Sequence, residues 1–389
     1  MMKNKFLRNT LILTAIALFA LIVPSVLIGL GVINPYVAQI ITLSAVNAIM
    51  ALSVNIICGI TGQLSLGQAG FMALGAYATI IFNANLHVPL PVAIIIAGII
   101  TAFFGFLIGF PTLKLDGDYL AIVTLAFGEI IRVVLVNLGS ITGSLREALM
   151  SQKANLSAAE IASKQKAIDF FSIFGPNGKS FDSPLVFNPT LAFVIVAGVL
   201  ILTIVLLQNF IRSTYGRAIL AVREDEIAAN SSGVPVFRYK MIGFVIASFV
   251  AGIGGALYVS LIGFVKPDQA SFNKSIDYLI YVVLGGMGSV TGSVLAAFVL
   301  TSLQEVLRFL QNFRLLIYPV ILIIVMLFRP QGLLGYKELS FIKVCERLVN
   351  WIKNRKKGGA DKKADGATGA QKTAIDSAEK TVEGGAENV

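Results

Sequence analysis

The chain has 389 residues, of which 56% are hydrophobic and only 13% are charged, and its formal net charge is +10. Soluble domains carry roughly 25% charged residues, so this composition leaves too little polar surface for a water-soluble globule. The basic excess lies at the ends and in loops that flank apolar runs, which indicates a polytopic membrane protein and not a nucleic-acid-binding one. One histidine and two cysteines give neither a catalytic constellation nor a metal-binding pattern.

About ten apolar runs predict an all-α polytopic membrane protein. The first run, 11–30, follows three basic residues and is long enough to cross about 30 Å of hydrocarbon, so we expect an uncleaved first helix. The others are 36–58, 66–83, 90–112, 119–138, 190–210, 241–264, 277–289, 293–309 and 315–328. Counting from a cytoplasmic N-terminus places 211–240 and the C-terminus in the cytoplasm. It also places Arg308 and Arg314 outside, against the usual bias of basic residues.

The first stretch that could carry function is Gly59–Tyr77, GITGQLSLGQAGFMALGAY. Glycines permit a break in a helix at membrane depth, where the freed backbone must be shielded or must line a wet cavity. We predict a substrate-path role for the following residues: Gln63, Ser65, Gly67 and Gln68. Close helix packing through the small residues is the alternative, and the sequence leaves it open.

A second glycine-rich stretch is GGMGSVTG at 285–292, between two short apolar runs. It predicts a broken or re-entrant helix, and interrupted helices tend to mark transport sites. The candidate substrate-path residues here are Gly285, Gly286, Gly288 and Ser289. Close packing through the pair Gly288 and Gly292 remains the alternative.

Polar residues 139–189 are predicted to form an extracytoplasmic insert. Within it, Ser157 and Glu160 form a capping-box pattern at the start of an amphipathic helix, which either caps the bundle or contacts a delivery protein. The hexapeptide GPNGKS at 175–180 does not predict a nucleotide site, because Ile173 occupies the position of the first phosphate-loop glycine and no strand precedes it. The spans carry few charges. Glu129 with Arg132, and Glu305 with Arg308, are spaced to pair on one helical face.

The charged segment 212–240 interrupts two strongly apolar runs and is predicted to be a cytoplasmic loop. Ile219, Val222 and Ala229 recur on one helical face, and Gly233 with Pro235 ends the helix. A short amphipathic helix of this kind can sit in a groove of a cytoplasmic partner, so that movement of the partner pulls the adjoining spans. A solvated connector is the alternative.

These segments together resemble the permease subunits of bacterial ABC importers for branched-chain amino acids. The resemblance covers most of the chain from Leu43 to Gly335 and rests on ITGQLSLGQAGFMALGAY, STYGRAILAVREDEIAANSSGV, SIDYLIYVVLGGMGSVTGSVLAAF and FRPQGLLG. It implies that Glu226, Ala228, Ala229 and Gly233 form the EAA-type coupling helix, although Ile227 separates the acid from the alanines. The complete set of residues assigned to ATPase coupling is Gly216, Arg217, Arg223, Glu224, Glu226, Ala228, Ala229 and Gly233.

The resemblance also implies partners and a mechanism. The partners are a second permease subunit, homologous or identical, two cytoplasmic ATP-binding subunits and an extracytoplasmic solute-binding protein, all within membrane lipid. ATP would be used by the partner subunits and no cofactor by this chain, which would move branched-chain or related amino acids across the bacterial inner membrane by alternating access. An ion-coupled carrier or channel for small polar solutes, working alone, is the second hypothesis. Residues 141–150 depart from the glycine-richer turn of the family, so the solute stays open.

The sequence divides into three regions. Residues 1–335 are predicted to form the transmembrane permease domain, with the insert at 139–189 and the coupling loop at 211–240. Residues 336–353 form a basic juxtamembrane segment. Residues 354–389 contain almost no large apolar side chains and are predicted to be a disordered cytoplasmic tail, because they cannot bury enough surface to offset chain entropy.

Overall fold

The structure is a computed structural model, and it describes residues 21–115, 117–152, 173–175, 178–329 and 332–333. These residues belong to one compact unit, residues 17–338. Ser157, Glu160 and the amphipathic pattern around them lie outside the described residues, as do the basic segment 336–353 and the tail 354–389.

The described residues are almost entirely helical. The helices are α1 (21–29), α2 (Pro35–Val54), α3 (Gln68–Ile80), α4 (Leu90–Thr112), α5 (Asp118–Gln152), α6 (Pro184–Phe187), α7 (Pro189–Arg212), α8 (Thr214–Glu224), α9 (Glu226–Ser231), α10 (Val236–Ile262), α11 (Phe272–Gly285), α12 (Val290–Val306) and α13 (Arg314–Phe328). Two π-helical segments, Asn55–Ile60 and Ile81–Asn85, extend α2 and α3. Short 3₁₀ segments cover Pro267–Ala270 and Leu307–Phe313.

Six helical segments among the described residues are long and apolar enough to cross a membrane. They are Pro35–Ile60, Leu90–Thr112, Asp118–Gly139, Pro189–Arg212, Val236–Ile262 and Val290–Gln311. The runs predicted at 66–83 and 315–328 contain the helices α3 and α13, which have only 13 and 15 residues. The run predicted at 277–289 was misplaced: α11 has 14 residues, begins earlier at Phe272 and ends at Gly285. Large apolar side chains such as Phe103, Leu107 and Leu327 are more than half exposed. Such exposure fits a surface solvated by lipid.

Helix α10 lies at the centre of the bundle and packs against α2, α3 and α4. Small residues make this close packing possible. A methyl group on Gly75 of α3 would lie 2.6 Å from the Gly252 Cα of α10, and one on Gly98 of α4 would lie 2.9 Å from the ring of Phe249. The backbones of α3 and α10 are therefore in direct contact, as is common between membrane helices.

Helix α5 continues beyond its predicted end at residue 138. It runs without interruption to Gln152, a total of 35 residues. At 1.5 Å per residue it is roughly 50 Å long, which exceeds the hydrocarbon thickness of a bilayer. Polar residues after 138 mark the end of the apolar segment, but this stretch contains no proline to end the helix.

Two opposite ends of the bundle can be distinguished, and we call them the strand end and the loop end. The strand end carries the antiparallel pair of β1 (Lys179–Ser180) with β2 (Phe264–Val265), in the register Lys179 to Val265. The loop end carries α8 and α9, the helices of the mid-chain loop.

Candidate functional site: the mid-chain loop and the two glycine breaks

The mid-chain loop consists of two helices, where the sequence predicted one. Asp225 separates them, because its side chain accepts hydrogen bonds from the backbone N–H groups of Ile227 and Ala228, both at 2.9 Å, and so caps α9. The prediction of a single helical face was wrong in this respect. Ile219 and Val222 of α8 and Ala229 of α9 are nevertheless all buried.

Local backbone geometry fixes both ends of the loop. Ser213 caps α8 by accepting from Gly216 N, and a methyl group on Gly216 would lie 2.5 Å from the carbonyl oxygen of Ile211. Gly233 ends α9 with a φ of +82°, which glycine adopts without strain.

The outward side of this loop is exposed. Ile227 is 81% exposed, and Ala228 and Glu224 are also exposed. Arg217 is exposed as well, and its guanidinium donates to the carbonyl oxygen of Arg212 at 3.0 Å. Helix α9 therefore has one side that packs on the bundle through Ala229 and one side that is open to solvent.

An ion pair ties α9 to the central helix. Lys240 of α10 is 7% exposed, and its Nζ lies 2.5 Å from Oε1 of Glu226, the first residue of α9. A buried ammonium group is costly without an opposite charge, so this pair holds the start of α9 against the bundle. The family resemblance assigned Glu226 to the coupling helix, but the sequence did not indicate Lys240 as its ion-pair partner.

The first glycine-rich stretch forms a break between α2 and α3. The π-helical segment ends at Ile60, and α3 begins only at Gln68. Gln63, Ser65 and Gln68 are at most 6% exposed in this break.

Several buried polar atoms of this break lack a hydrogen-bond partner. They are both amide atoms of Gln63, the hydroxyl of Ser65 and Nε2 of Gln68, whereas Oε1 of Gln68 accepts from Ser53 at 2.9 Å. Buried amides without hydrogen-bond partners are costly, so these groups need a partner such as a solute or an ordered water.

The second glycine-rich stretch forms the break between α11 and α12. Helix α11 ends at Gly285, and Gly286 and Gly288 have φ values of +103° and +88°. Ser289 then caps α12 by accepting from Gly292 N at 3.1 Å. The break predicted between the two short apolar runs is therefore present.

The two breaks contact each other, and Asn55 joins them. Its Oδ1 accepts from Gly288 N at 2.8 Å and its Nδ2 donates to Ser289 O at 3.2 Å. A methyl group on Gly59 would lie 2.9 Å from the Gly288 Cα, so the two backbones touch. Asn55 was not among the predicted site residues. The sequence feature that could have identified Asn55 is its amide side chain inside an apolar run, because a buried amide needs a polar partner.

Arg223 of the loop extends to the same point. Its Nη1 donates to the carbonyl oxygen of Gly59 at 2.7 Å, and its stem packs on Gly62, where a methyl group would lie 2.5 Å from Arg223 Cγ. The other guanidinium nitrogen, Nη2, pairs with Glu224. This side chain thus connects the mid-chain loop with the first glycine break, and a methyl group on Gly288 of the second break would lie 3.3 Å from its Nη1.

Close packing also occurs in both glycine-rich stretches. A methyl group on Gly67 would lie 2.6 Å from Thr124 O, and one on Gly285 would lie 2.5 Å from the carbonyl carbon of Gly292. The partner of Gly292 is therefore Gly285 and not Gly288. Packing accounts for these glycines, but it does not account for the polar side chains of Gln63, Ser65 and Gln68.

The predicted intrahelical charge pairs are present. Arg132 Nε lies 2.7 Å from Glu129 Oε2, and Arg308 Nη1 lies 2.9 Å from Glu305 Oε1. Arg308 also donates to the hydroxyl of Tyr36 at 3.0 Å, which places it beside the start of α2. Among the described residues, no group of three or more His, Cys, Asp or Glu side chains could hold a metal ion.

Comparisons with known proteins all relate this chain to transport system permeases. A family model described as "Branched-chain amino acid transport system / permease component" matches residues 36–328. The high-affinity branched-chain amino acid transport system permease protein LivM of Escherichia coli (strain K12) is 37% identical over 300 residues, which cover 76% of this chain and 69% of LivM. LivH of the same organism, also named a high-affinity branched-chain amino acid transport system permease protein, is 30% identical over 143 residues, or 36% of this chain and 46% of LivH. No solved structure matches the chain.

Proposed function

Because the chain belongs to the family of branched-chain amino acid transport system permease components, we propose that it forms half of the translocation path for branched-chain or related amino acids. It is a permease subunit of an ABC importer and a multi-pass protein of the bacterial inner membrane, and its relatives are transport proteins rather than enzymes. The observation that carries the mechanistic part of the proposal is the hydrogen bond from Arg223 to Gly59 O, which links the loop to the breaks.

In this proposal, partner subunits bind and hydrolyse the ATP that drives transport. A second permease subunit completes the path, two cytoplasmic ATP-binding subunits contact α8 and α9, and an extracytoplasmic binding protein delivers the solute. This chain then needs no cofactor. Support for a partner at the loop comes from the exposed Ile227 on a helix whose Ala229 is buried.

Alternating access would proceed through the loop. Closure of the ATP-binding subunits would displace α8 and α9, and Arg223 would transmit that displacement to Gly59 and, through Asn55, to Gly288. Packed helices change between discrete arrangements more readily than they deform continuously, so a small shift at this junction can open or close a path. The free amide atoms of Gln63 and Gln68 are the proposed solute contacts.

The proposal retains ten crossings with both termini in the cytoplasm. The six long apolar segments are supplemented by 11–30, α3 with its π-helical extension, α11 and α13. In support, three contacts among the described residues join segments that this count assigns to the same side. Lys179 pairs with Val265 and Arg308 with Tyr36 outside, whereas Arg223 bonds to Gly59 inside.

The proposed domain boundaries remain those of the sequence analysis. Residues 1–335 form the permease domain with the insert at 139–189 and the coupling loop at 211–240. Residues 336–353 and 354–389 are proposed to be a juxtamembrane segment and a cytoplasmic tail.

The proposal predicts that the double variant Glu226→Gln, Gly233→Ala loses uptake while it still inserts into the membrane. The first change removes the partner of Lys240, and the second introduces a Cβ at a positive φ, which costs about 1 kcal/mol. Uptake of radiolabelled leucine by cells with the complete importer is the measurement.

The matched control is Gly31→Ala. Gly31 resembles Gly233 in having a positive φ, +72°, and in having no atom within 4 Å of an added Cβ. It differs in position, because it lies between α1 and α2. Full uptake in the double variant would contradict the coupling role. Gradient-driven leucine flux in vesicles that contain only this chain, without ATP, would instead favour the ion-coupled carrier.

A second prediction concerns the side of the membrane on which the loop lies. Both variants below carry Cys345→Ser. Ile227→Cys is expected to react with an impermeant maleimide only from the cytoplasm, and co-expressed ATP-binding subunits should slow the reaction. Phe187→Cys, at 72% exposure beside the strand end, should react only from the outside. Reaction of both cysteines from one side would contradict the proposed topology.

A further inference from the structure

A cavity of about 370 Å³ lies between the first glycine break, the α4–α5 turn and the mid-chain loop. Its volume is at the lower end of the range for ligand pockets, about 300–1,000 Å³, and so suits a small solute. Under the proposed topology it lies at the cytoplasmic end of the bundle.

The polar part of the cavity wall carries charges of both signs. Asp118 and Glu226 supply carboxylates, and Lys240, whose side chain is 9% exposed, supplies an ammonium group that pairs with Glu226. Gln63 also lines the cavity at 6% exposure, and neither its amide nitrogen nor its amide oxygen has a hydrogen-bond partner. These two amide atoms are shielded from the cavity, so the charged side chains carry its polar character.

The remaining wall is aliphatic. Leu64, Leu115 and Leu120 line the cavity, and Leu64 and Leu115 are 40% and 39% exposed. A ligand that satisfies the whole wall must therefore carry a positive group, a negative group and a small aliphatic part. Inorganic ions and nucleotides do not combine these three features.

We propose that this cavity binds an aliphatic α-amino acid from the cytoplasmic side, as a release site next to the mid-chain loop. The ligand's ammonium group binds Asp118, and its carboxylate binds Lys240; both residues line the cavity. The three leucines contact its side chain. The carboxylate competes with Glu226 for Lys240, so occupancy bears directly on the ion pair that holds α9. This inference rests on the proposed function for the choice of amino acid.

The test measures protection of a cysteine at the cavity. Leu115→Cys is introduced together with Cys345→Ser, and Cys58 is left in place because it is buried. Inside-out vesicles with the complete importer are treated with a maleimide in the presence of millimolar L-leucine. We expect leucine to slow labelling severalfold. Isocaproate, which lacks the ammonium group, and isoamylamine, which lacks the carboxylate, should not. Protection by phosphoethanolamine equal to that by leucine would assign the cavity to a lipid headgroup and overturn the proposal.

Asp118→Asn provides the specific variant, and Asp182→Asn is the control because Asp182 is an exposed carboxylate beside the strand end. Asp118→Asn should abolish protection by leucine, and Asp182→Asn should preserve it. Equilibrium binding of radiolabelled leucine to the purified complex, without solute-binding protein, gives a second readout that does not need the cysteine. Unchanged binding in Asp118→Asn, or no leucine binding or protection in the parent, overturns the cavity site. Leucine uptake in the same cells reports separately on the proposed function.

Discussion

Arg223→Met is expected to reduce leucine uptake about tenfold or more while the ATP-binding subunits still co-purify with the permease. The change removes the donor to Gly59 O but keeps the apolar stem that packs on Gly62. A hydrogen bond from a charged group contributes about 1.5–3 kcal/mol, and 1.4 kcal/mol corresponds to a factor of ten. Because the outward face of α9 is unchanged, the loss falls on transmission and not on assembly.

Two further variants make this experiment decisive. Arg238→Met removes an exposed basic residue from the same loop and should retain uptake. Arg223→Lys keeps the positive charge but offers a single ammonium in place of the guanidinium, so uptake between those of the parent and Arg223→Met is expected. ATP hydrolysis that continues without uptake in Arg223→Met would support the link. Loss of co-purification would show that Arg223 serves docking instead.

The long apolar helices could be predicted from sequence with good boundaries. The run 90–112 is α4, Leu90–Thr112, and the run 190–210 is α7, Pro189–Arg212. Each begins at or next to a proline, which is favoured in the first turn of a helix, and each consists of apolar residues that lipid tolerates. Hydropathy marks where a span leaves the bilayer and not where its helix ends, which is why the end of α5 was predicted at residue 138 and found at Gln152.

The division of the mid-chain loop into α8 and α9 could have been predicted from one residue, but the regular spacing of apolar residues favoured a single helix. Asp225 is among the residues preferred at helix N-termini, and it caps α9 through two backbone N–H groups. The apolar positions of α8 and α9 continue the same spacing across this cap. Periodicity alone therefore predicted one helix.

The junction of the three functional stretches could not be predicted from sequence. The partners of Asn55 are 233 and 234 residues away, and Gly59, which accepts from Arg223, is 164 residues away. Such contacts depend on how the spans are arranged around α10, and neither hydropathy nor glycine spacing specifies that arrangement. The sequence did predict that Gly285–Gly292 breaks a helix, because its glycines allow positive φ values.

Gly75→Ala is expected to lower the amount of folded protein in the membrane. The added Cβ would lie 2.6 Å from the Gly252 Cα, and its three nearest atoms all belong to the backbone of Gly252, which cannot rotate away as a side chain can. Helices α3 and α10 would have to separate, and α10 also contacts α2 and α4. Overpacking typically costs about 1–3 kcal/mol, and rigid backbone contacts place this site at the upper end.

The comparison that isolates this effect is Gly198→Ala in α7, where the nearest atom to the built Cβ is Leu21 Cδ1 at 3.9 Å. Both changes add one methyl group to a glycine within a helix, so helix propensity alone would stabilise both variants by about 1 kcal/mol. The unfolding midpoint of the detergent-solubilised protein should fall for Gly75→Ala and stay at or above the parent value for Gly198→Ala. Equal midpoints in the two variants would mean that α3 and α10 are not in direct backbone contact, and the position of both glycine breaks relative to α10 would have to be revised.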